Sequence, residues 1–262
     1  MSSTEATEPD PYDSALQILR DIRQRVQFLH PALAHDVPVA IAEGTVCRVY
    51  QANGAYHFAQ ETLLPMPVPK GVRAAFPLDA LGGPCAAVVT GEVFDEPGGY
   101  ATLLHEAVHC YQAETCEEKL KARLSIAQQA RAAGDMMWEI QYPFPYGDPG
   151  FERAYTALLQ ALASAAPVGV RQARQAVLRA LDANSIEYMV WQEWKEGLAR
   201  LIETWIQREL GLPENHGGGT LPLSRVAFYE GGARIIAYLE AQRPGISRDL
   251  EALYELMSSG SF

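Results

Sequence analysis

The chain has no cluster of basic residues, no long unbroken apolar run and no closely spaced cysteine pair. Each absence removes a class of function. A membrane span needs roughly 18–20 consecutive apolar residues, and none of the 262 residues lie in such a run. With 21 Lys and Arg against 32 Asp and Glu, the net charge is −11. Neutralising phosphates takes clustered Lys and Arg, so nucleic acid and anionic membrane surfaces are excluded as partners. The cysteines Cys47, Cys85, Cys110 and Cys116 form no CxxC, which argues against a thiolate zinc knuckle. Cys110 and Cys116 fall on different faces of a helix, which disfavours a disulfide. The opening "MSSTEATEPDPYD" has neither the basic nor the apolar segment of a secretory signal. A cytoplasmic protein with reduced thiols is the expectation. No GxxxxGK[ST] or GxGxxG is present, so nothing points to a nucleotide.

What is there reads as a globular α+β protein, mostly α. Hydrophobic residues make up 48% and charged residues 20%, an ordinary globular balance. Residues 1–12 are acidic and proline-containing, and a disordered tail is expected there. Asp13 or Ser14 can cap a first helix carrying Leu16, Leu19, Ile22 and Val26 at helical spacing. "VPVAIAEGTVCRVYQANGAYHFAQ" is rich in β-branched and aromatic residues, with Asn53-Gly54 as a hairpin turn. "PCAAVVTGEVF" at 84–94 reads as another strand. Pro and Gly punctuate this region, so few and short strands are expected. From Tyr100 the pattern turns helical, with helices at about 117–133, 150–165, 168–182, 185–210, 225–242 and 247–258. An aromatic loop at 142–149 is too proline-rich for helix. The expectation is a single domain over 13–262, with a small β-containing part at about 36–98 and a helical part at about 99–262.

One stretch carries chemistry. "LLHEAVHCYQ" at 103–112 places His105 and His109 four residues apart. On a helix they lie on one face, one turn apart, and can point two imidazoles at one ion. Glu106 is rotated by about 100°, where a base beside the ion should stand. This is the HExxH arrangement, in which the carboxylate takes a proton from a zinc-bound water as that water attacks a carbonyl. The bland alternative is an apolar helix on which polar residues happen to fall.

A catalytic zinc has three protein ligands and one open position. "VWQEWKEGLARLIETW" at 190–205 is the best source of a third. Val190, Trp194, Leu198, Leu201 and Trp205 make an apolar stripe. Glu196 lies on a second face that Gly197 and Ala199 keep small enough for close helix packing. The alternative is that Glu196 is one of many solvated helix glutamates.

HExxH followed by "WKEGLARLIE", which reads E-G-x-A-x-x-x-E, resembles the gluzincin zinc metallopeptidases, whose third-ligand helix in many members reads W-x-x-E-G-x-A-x-[YF]-x-E. "AFYEGGARIIAYLE" at 227–240 is similar to the tyrosine helix of the M1 aminopeptidase family. The three segments occur in the family's order but cover only about 40 residues, a likeness of site alone. The resemblance implies a zincin-like fold and a Zn2+ ion held by His105, His109 and Glu196. It implies Glu106 as general base, Glu203 as a supporting carboxylate, and Tyr229 as donor to the oxyanion. The implied activity is hydrolysis of a peptide or protein substrate. A non-peptide amide or ester, and a binding module without turnover, remain as alternatives. The strand at 84–94 precedes the HExxH helix as a cleft-lining strand does in that family, so substrate backbone could add to its edge.

Departures are plain. The GxMEN motif for a free amino terminus is absent, so aminopeptidase specificity does not carry over. Lys195 precedes the glutamate, and Arg200 stands where thermolysin-like members have an aspartate. The "HGGG" at 216–219 has no GxSxG elbow to serve, so His216 is read as a loop residue that a mobile lid could carry. His30, His35 and His57 read as structural or exposed. Tyr142, Phe144 and Tyr146 suit either a pocket lining or core packing.

Overall fold

The structure, a computed structural model, describes residues 10–78, 82–164, 166–260 and 262. It is α+β and mostly helical. Its contacts divide it into two compact units, one ending at Ala107 and the other spanning Val108–Phe262. Most of the expected tail lies outside the described residues. Asp10 and Tyr12 belong to the fold: the Tyr50 hydroxyl donates to Asp10 at 2.7 Å, and the Tyr12 hydroxyl donates to Glu43.

In the first unit, helix α1 (Asp13–Val26) buries Leu16, Leu19 and Val26. Its N-cap is Tyr12, without a side-chain cap, so neither Asp13 nor Ser14 caps it. Arg23 donates to the Leu33 and Ala34 carbonyls at 2.9 Å, tying α1 to the short α2 (Pro31–Ala34). The His30 imidazole caps α2 by accepting from Ala32 N at 3.2 Å, a structural role. A long hairpin follows, β1 (Val39–Ala52) and β2 (Tyr56–Val68). The Asn53-Gly54 signal marks its turn, where Gly54 adopts φ +68, a left-handed conformation that glycine adopts without steric cost. These two strands are longer than the Pro and Gly content suggested. The sheet is completed by β3 (Arg73–Pro77) and β4 (Cys85–Thr90), in the order β2-β1-β4-β3.

The sheet order corrects one expectation. β4 is an interior strand, paired in parallel with β1 from Val39↔Ala87 to Ala42↔Thr90 and antiparallel with β3. Both of its edges are taken, so no peptide can add to it. The reason was in its composition: "CAAVVT" is buried throughout, and an unbroken apolar run suits a strand covered on both faces. The strand also stops at Thr90, and residues 91–94 form a 3-10 turn.

Helix α3 (Pro97–Gln112) carries the HExxH segment and passes from one unit into the other. It starts three residues earlier than expected. A π-helical turn (Ala113–Glu117) follows, then α4 (Glu118–Lys121) and α5 (Ser125–Ala133). The single helix expected over 117–133 is therefore broken at 122–124. The short α6 (Trp138–Gln141) leads into the aromatic loop, and α7 (Pro149–Ser164) and α8 (Pro167–Arg179) follow. Phe144 is buried and packs on Phe151, Phe228 and Tyr188, and Tyr142 stacks on Tyr188 at 4.4 Å. Core packing thus accounts for Phe144.

The axis of the second unit is α9 (Ala183–Leu210). Asp182 caps its start by accepting from Ser185 N at 2.7 Å, and Gly211 closes its end. Nineteen of its 28 residues are buried, so it is surrounded rather than amphipathic. It crosses α10 (Val226–Gln242) backbone to backbone: a Cβ on Gly197 would lie 2.5 Å from Gly232, and one on Gly232 2.1 Å from the Glu193 carbonyl. Only glycines allow this approach. The last helix, α11 (Leu250–Ser259), receives the Trp194 indole at the Leu250 carbonyl.

Buried charge also holds α9. Glu193 and Arg174 are fully buried and paired at 2.8 Å, and the Tyr155 hydroxyl donates to Glu193 at 3.0 Å. Burial raises the Glu193 carboxyl above its ordinary pKa, and Arg174 and Tyr155 only partly offset this. Two residues on, Lys195 lies 2.8 Å from Glu117 and 2.9 Å from Glu139, with Lys121 contacting the same two carboxylates. All four cysteines are buried thiols. Among the described residues no helix is long and apolar enough to cross a membrane.

Candidate metal centre

His105 and His109 lie one turn apart on α3, as the helical period requires. Glu196 comes from α9, 87 positions along the chain from His109. One ligand atom from each of the three lies within 4.8 Å of the others, and all three residues are buried. Glu106, beside His105 on α3, is buried as well.

His109 is the most closely defined member. Its Nδ1 lies 2.9 Å from the Gln112 Oε1, and Gln112 Nε2 donates to the Lys195 carbonyl at 3.1 Å. The carbonyl can only accept, which fixes the amide orientation: Nε2 faces Lys195 and Oε1 faces the imidazole. His109 Nδ1 then carries a proton, and Nε2 faces Glu196 Oε2 at 3.2 Å. Two acceptors at this distance repel unless a cation or a second imidazole proton lies between them. Donor atoms about 2.0–2.1 Å from a tetrahedral zinc stand about 3.3 Å from one another. The His109–Glu196 spacing matches that figure, and the His-His-Glu group could hold a metal ion.

The other oxygen of Glu196, Oε1, lies 3.2 Å from Arg225 Nη1, which also approaches Gln192 Oε1 at 3.3 Å. The guanidinium of Arg225 stands 5.3 Å from the centre of the Tyr229 ring, and that of Arg200 stands 5.6 Å from it. Tyr229 is thus held between two cations in the neighbourhood of Glu196. Glu203 is buried and paired with Arg200 at 3.2 Å, so it bears on Tyr229 through Arg200. Lys195, which departs from the family pattern, is absorbed by Glu117 and Glu139.

Two residues escaped the sequence reading. Gln112 stands three positions after His109, a same-face spacing that could have flagged it. Arg225 stands four positions before Tyr229 and could have been found in the same way. His216 sits apart from this group, 3.4 Å from Glu214 and from Glu230. It borders a cavity of about 470 Å³ within the second unit, lined by Leu162, Leu201, Ala233, Ala237 and Tyr238. None of His109, Glu196 or Tyr229 lines it.

No protein-family model, curated protein or solved structure matches the chain.

Proposed function

We propose that this protein is a zinc-dependent hydrolase that cleaves peptide bonds. The observation that carries the reading is the convergence of ligand atoms of His105, His109 and Glu196 within 4.8 Å, with His109 Nε2 facing the Glu196 carboxylate. These three residues would hold the ion. When bound, zinc supplies Lewis acidity and brings the pKa of coordinated water to about 7. Glu106 then takes the proton of the attacking water and delivers it to the leaving amine. The Tyr229 hydroxyl donates to the oxygen on which negative charge develops. Gln112 accepts from His109 Nδ1 and so leaves Nε2 as the atom turned toward Glu196, and Glu203 steadies Tyr229 through Arg200.

Purified protein is expected to contain one zinc per chain by elemental analysis. Glu106→Gln is expected to retain that zinc and lose cleavage of a broad peptide library. Full cleavage by this variant would remove Glu106 from the mechanism.

A second reading, a zincin-fold binding module without turnover, draws on one observation: Arg225 already meets one Glu196 oxygen and His109 the other. Zinc-free protein from a zinc-replete preparation would favour it. Hydrolysis of a non-peptide amide or ester uses the same residues and is separated by the substrate panel alone.

A further inference from the structure

We propose that Arg225 binds a carboxylate of the substrate, so that the enzyme acts close to the carboxyl end of peptides. The inference rests on the hydrolase reading and adds to it a substrate class.

The guanidinium has five N–H donors in a planar fork. In Arg225 only Nη1 is engaged, by Glu196 Oε1 at 3.2 Å and Gln192 Oε1 at 3.3 Å. Nε and Nη2 bond to no described residue. These two carry the parallel pair of N–H groups that meets a carboxylate with both oxygens at once. The side chain is 30% exposed, so the free edge is reachable from solvent while the rest is buried. Tyr229 packs against the guanidinium face and limits its swing. Arg225 is also the N-cap of the 17-residue helix α10, whose positive end adds to an anion's preference for this spot.

Position decides what kind of carboxylate. Arg225 touches the same Glu196 that belongs to the metal group. An anion on its free edge therefore lies only a few ångströms from that group. An extended peptide advances about 3.3–3.6 Å per residue, which places the bound carboxylate within one or two residues of the scissile carbonyl. The reaction is an ordinary hydrolysis: water adds hydroxyl to the carbonyl carbon, the C–N bond breaks, and the leaving amine takes the proton. The product is a shortened peptide plus a free amino acid or dipeptide. A terminal α-carboxylate and an Asp or Glu side chain offer the same group.

The test uses full-length Glu106→Gln protein supplied with zinc, to prevent turnover. Pooled N-acetyl tripeptides are offered in three forms: free acids, amides, and amides containing one aspartate. Equilibrium dialysis with mass spectrometry reads retention. Free acids are expected to be retained about 10-fold or more over plain amides, as a lost charge-assisted bidentate pair implies. Adding Arg225→Gln is expected to collapse the ratio to near one, and Arg225→Lys to leave an intermediate ratio. Retention of the aspartate amides equal to the acids means the site takes any carboxylate and overturns the preference for the carboxyl end. Equal retention of acids and amides, or a ratio that survives Arg225→Gln, overturns the proposal. Zinc content measured on each sample judges the hydrolase reading separately, and the acid-to-amide ratio stands whether or not zinc is bound.

Discussion

Replacing Gln112 by leucine removes two hydrogen bonds with almost no change of volume. Gln112 is fully buried, and its amide spans from His109 Nδ1 at 2.9 Å to the Lys195 carbonyl at 3.1 Å. Leucine leaves both groups without that partner. Each buried polar group so stranded costs about 1–3 kcal/mol. The metal-free protein should therefore lose about 2–6 kcal/mol before the partial offset from the apolar side chain. Zinc affinity should fall further, because His109 no longer has its tautomer fixed. Loss of such an outer partner weakens metal binding about 10–100-fold, equivalent to roughly 1.4–2.7 kcal/mol. Competition against a chromophoric chelator gives the affinity, and denaturant unfolding with and without zinc gives the stability. A Gln112→Leu protein that is destabilised yet binds zinc as tightly as the parent refutes the role given to Gln112. It also weakens the inference of a metal at His109 Nε2, because that inference rests on the proton Gln112 holds on Nδ1.

Two further outcomes follow from the second unit. Gly232→Ala puts a Cβ 2.1 Å from the Glu193 carbonyl, where ordinary contact begins at 3.4 Å. Overpacking costs about 1–3 kcal/mol and helix propensity returns about 1. A displacement of about 1 Å between α9 and α10 should lower kcat/KM about 100-fold. Unchanged stability and turnover would show that the crossing does not set the site. For Glu139, burial opposes ionisation, but Lys195 and Lys121 outweigh it and hold the pKa at about 2. A depressed carboxylate stabilises the fold above its unfolded pKa of about 4.3. That contribution, on the order of 3 kcal/mol, is lost as pH falls from there through about 2. Urea midpoints across this window should fall less steeply in Glu139→Gln, and equal slopes would contradict the pairing.

What could be read without coordinates was local. His105 and His109 face the same way because both sit on one helix, and the helical period needs no tertiary information. The Asn53-Gly54 turn was equally local, since a positive φ is a demand on one residue. The break at 122–124 was missed because "KARL" is a good helix sequence, and propensity does not register where the chain must turn to pack. The place of β4 was misjudged although its apolar run carried the signal, because a run alone does not say which strands flank it.

Taken alone, the sequence determined the helix that carries two imidazoles on one face with Glu106 beside them, the glycines on which two helices can touch, and the acidic charge of the chain. The tertiary structure decided which glutamate meets the imidazoles, that Gln112 and not a carboxylate fixes His109, and that Arg225 stands beside Glu196. The last of these goes with α9 and α10 crossing at Gly197 and Gly232. Contacts between residues far apart in the chain are set by how side chains fill space between helices, and no periodicity in the sequence encodes that.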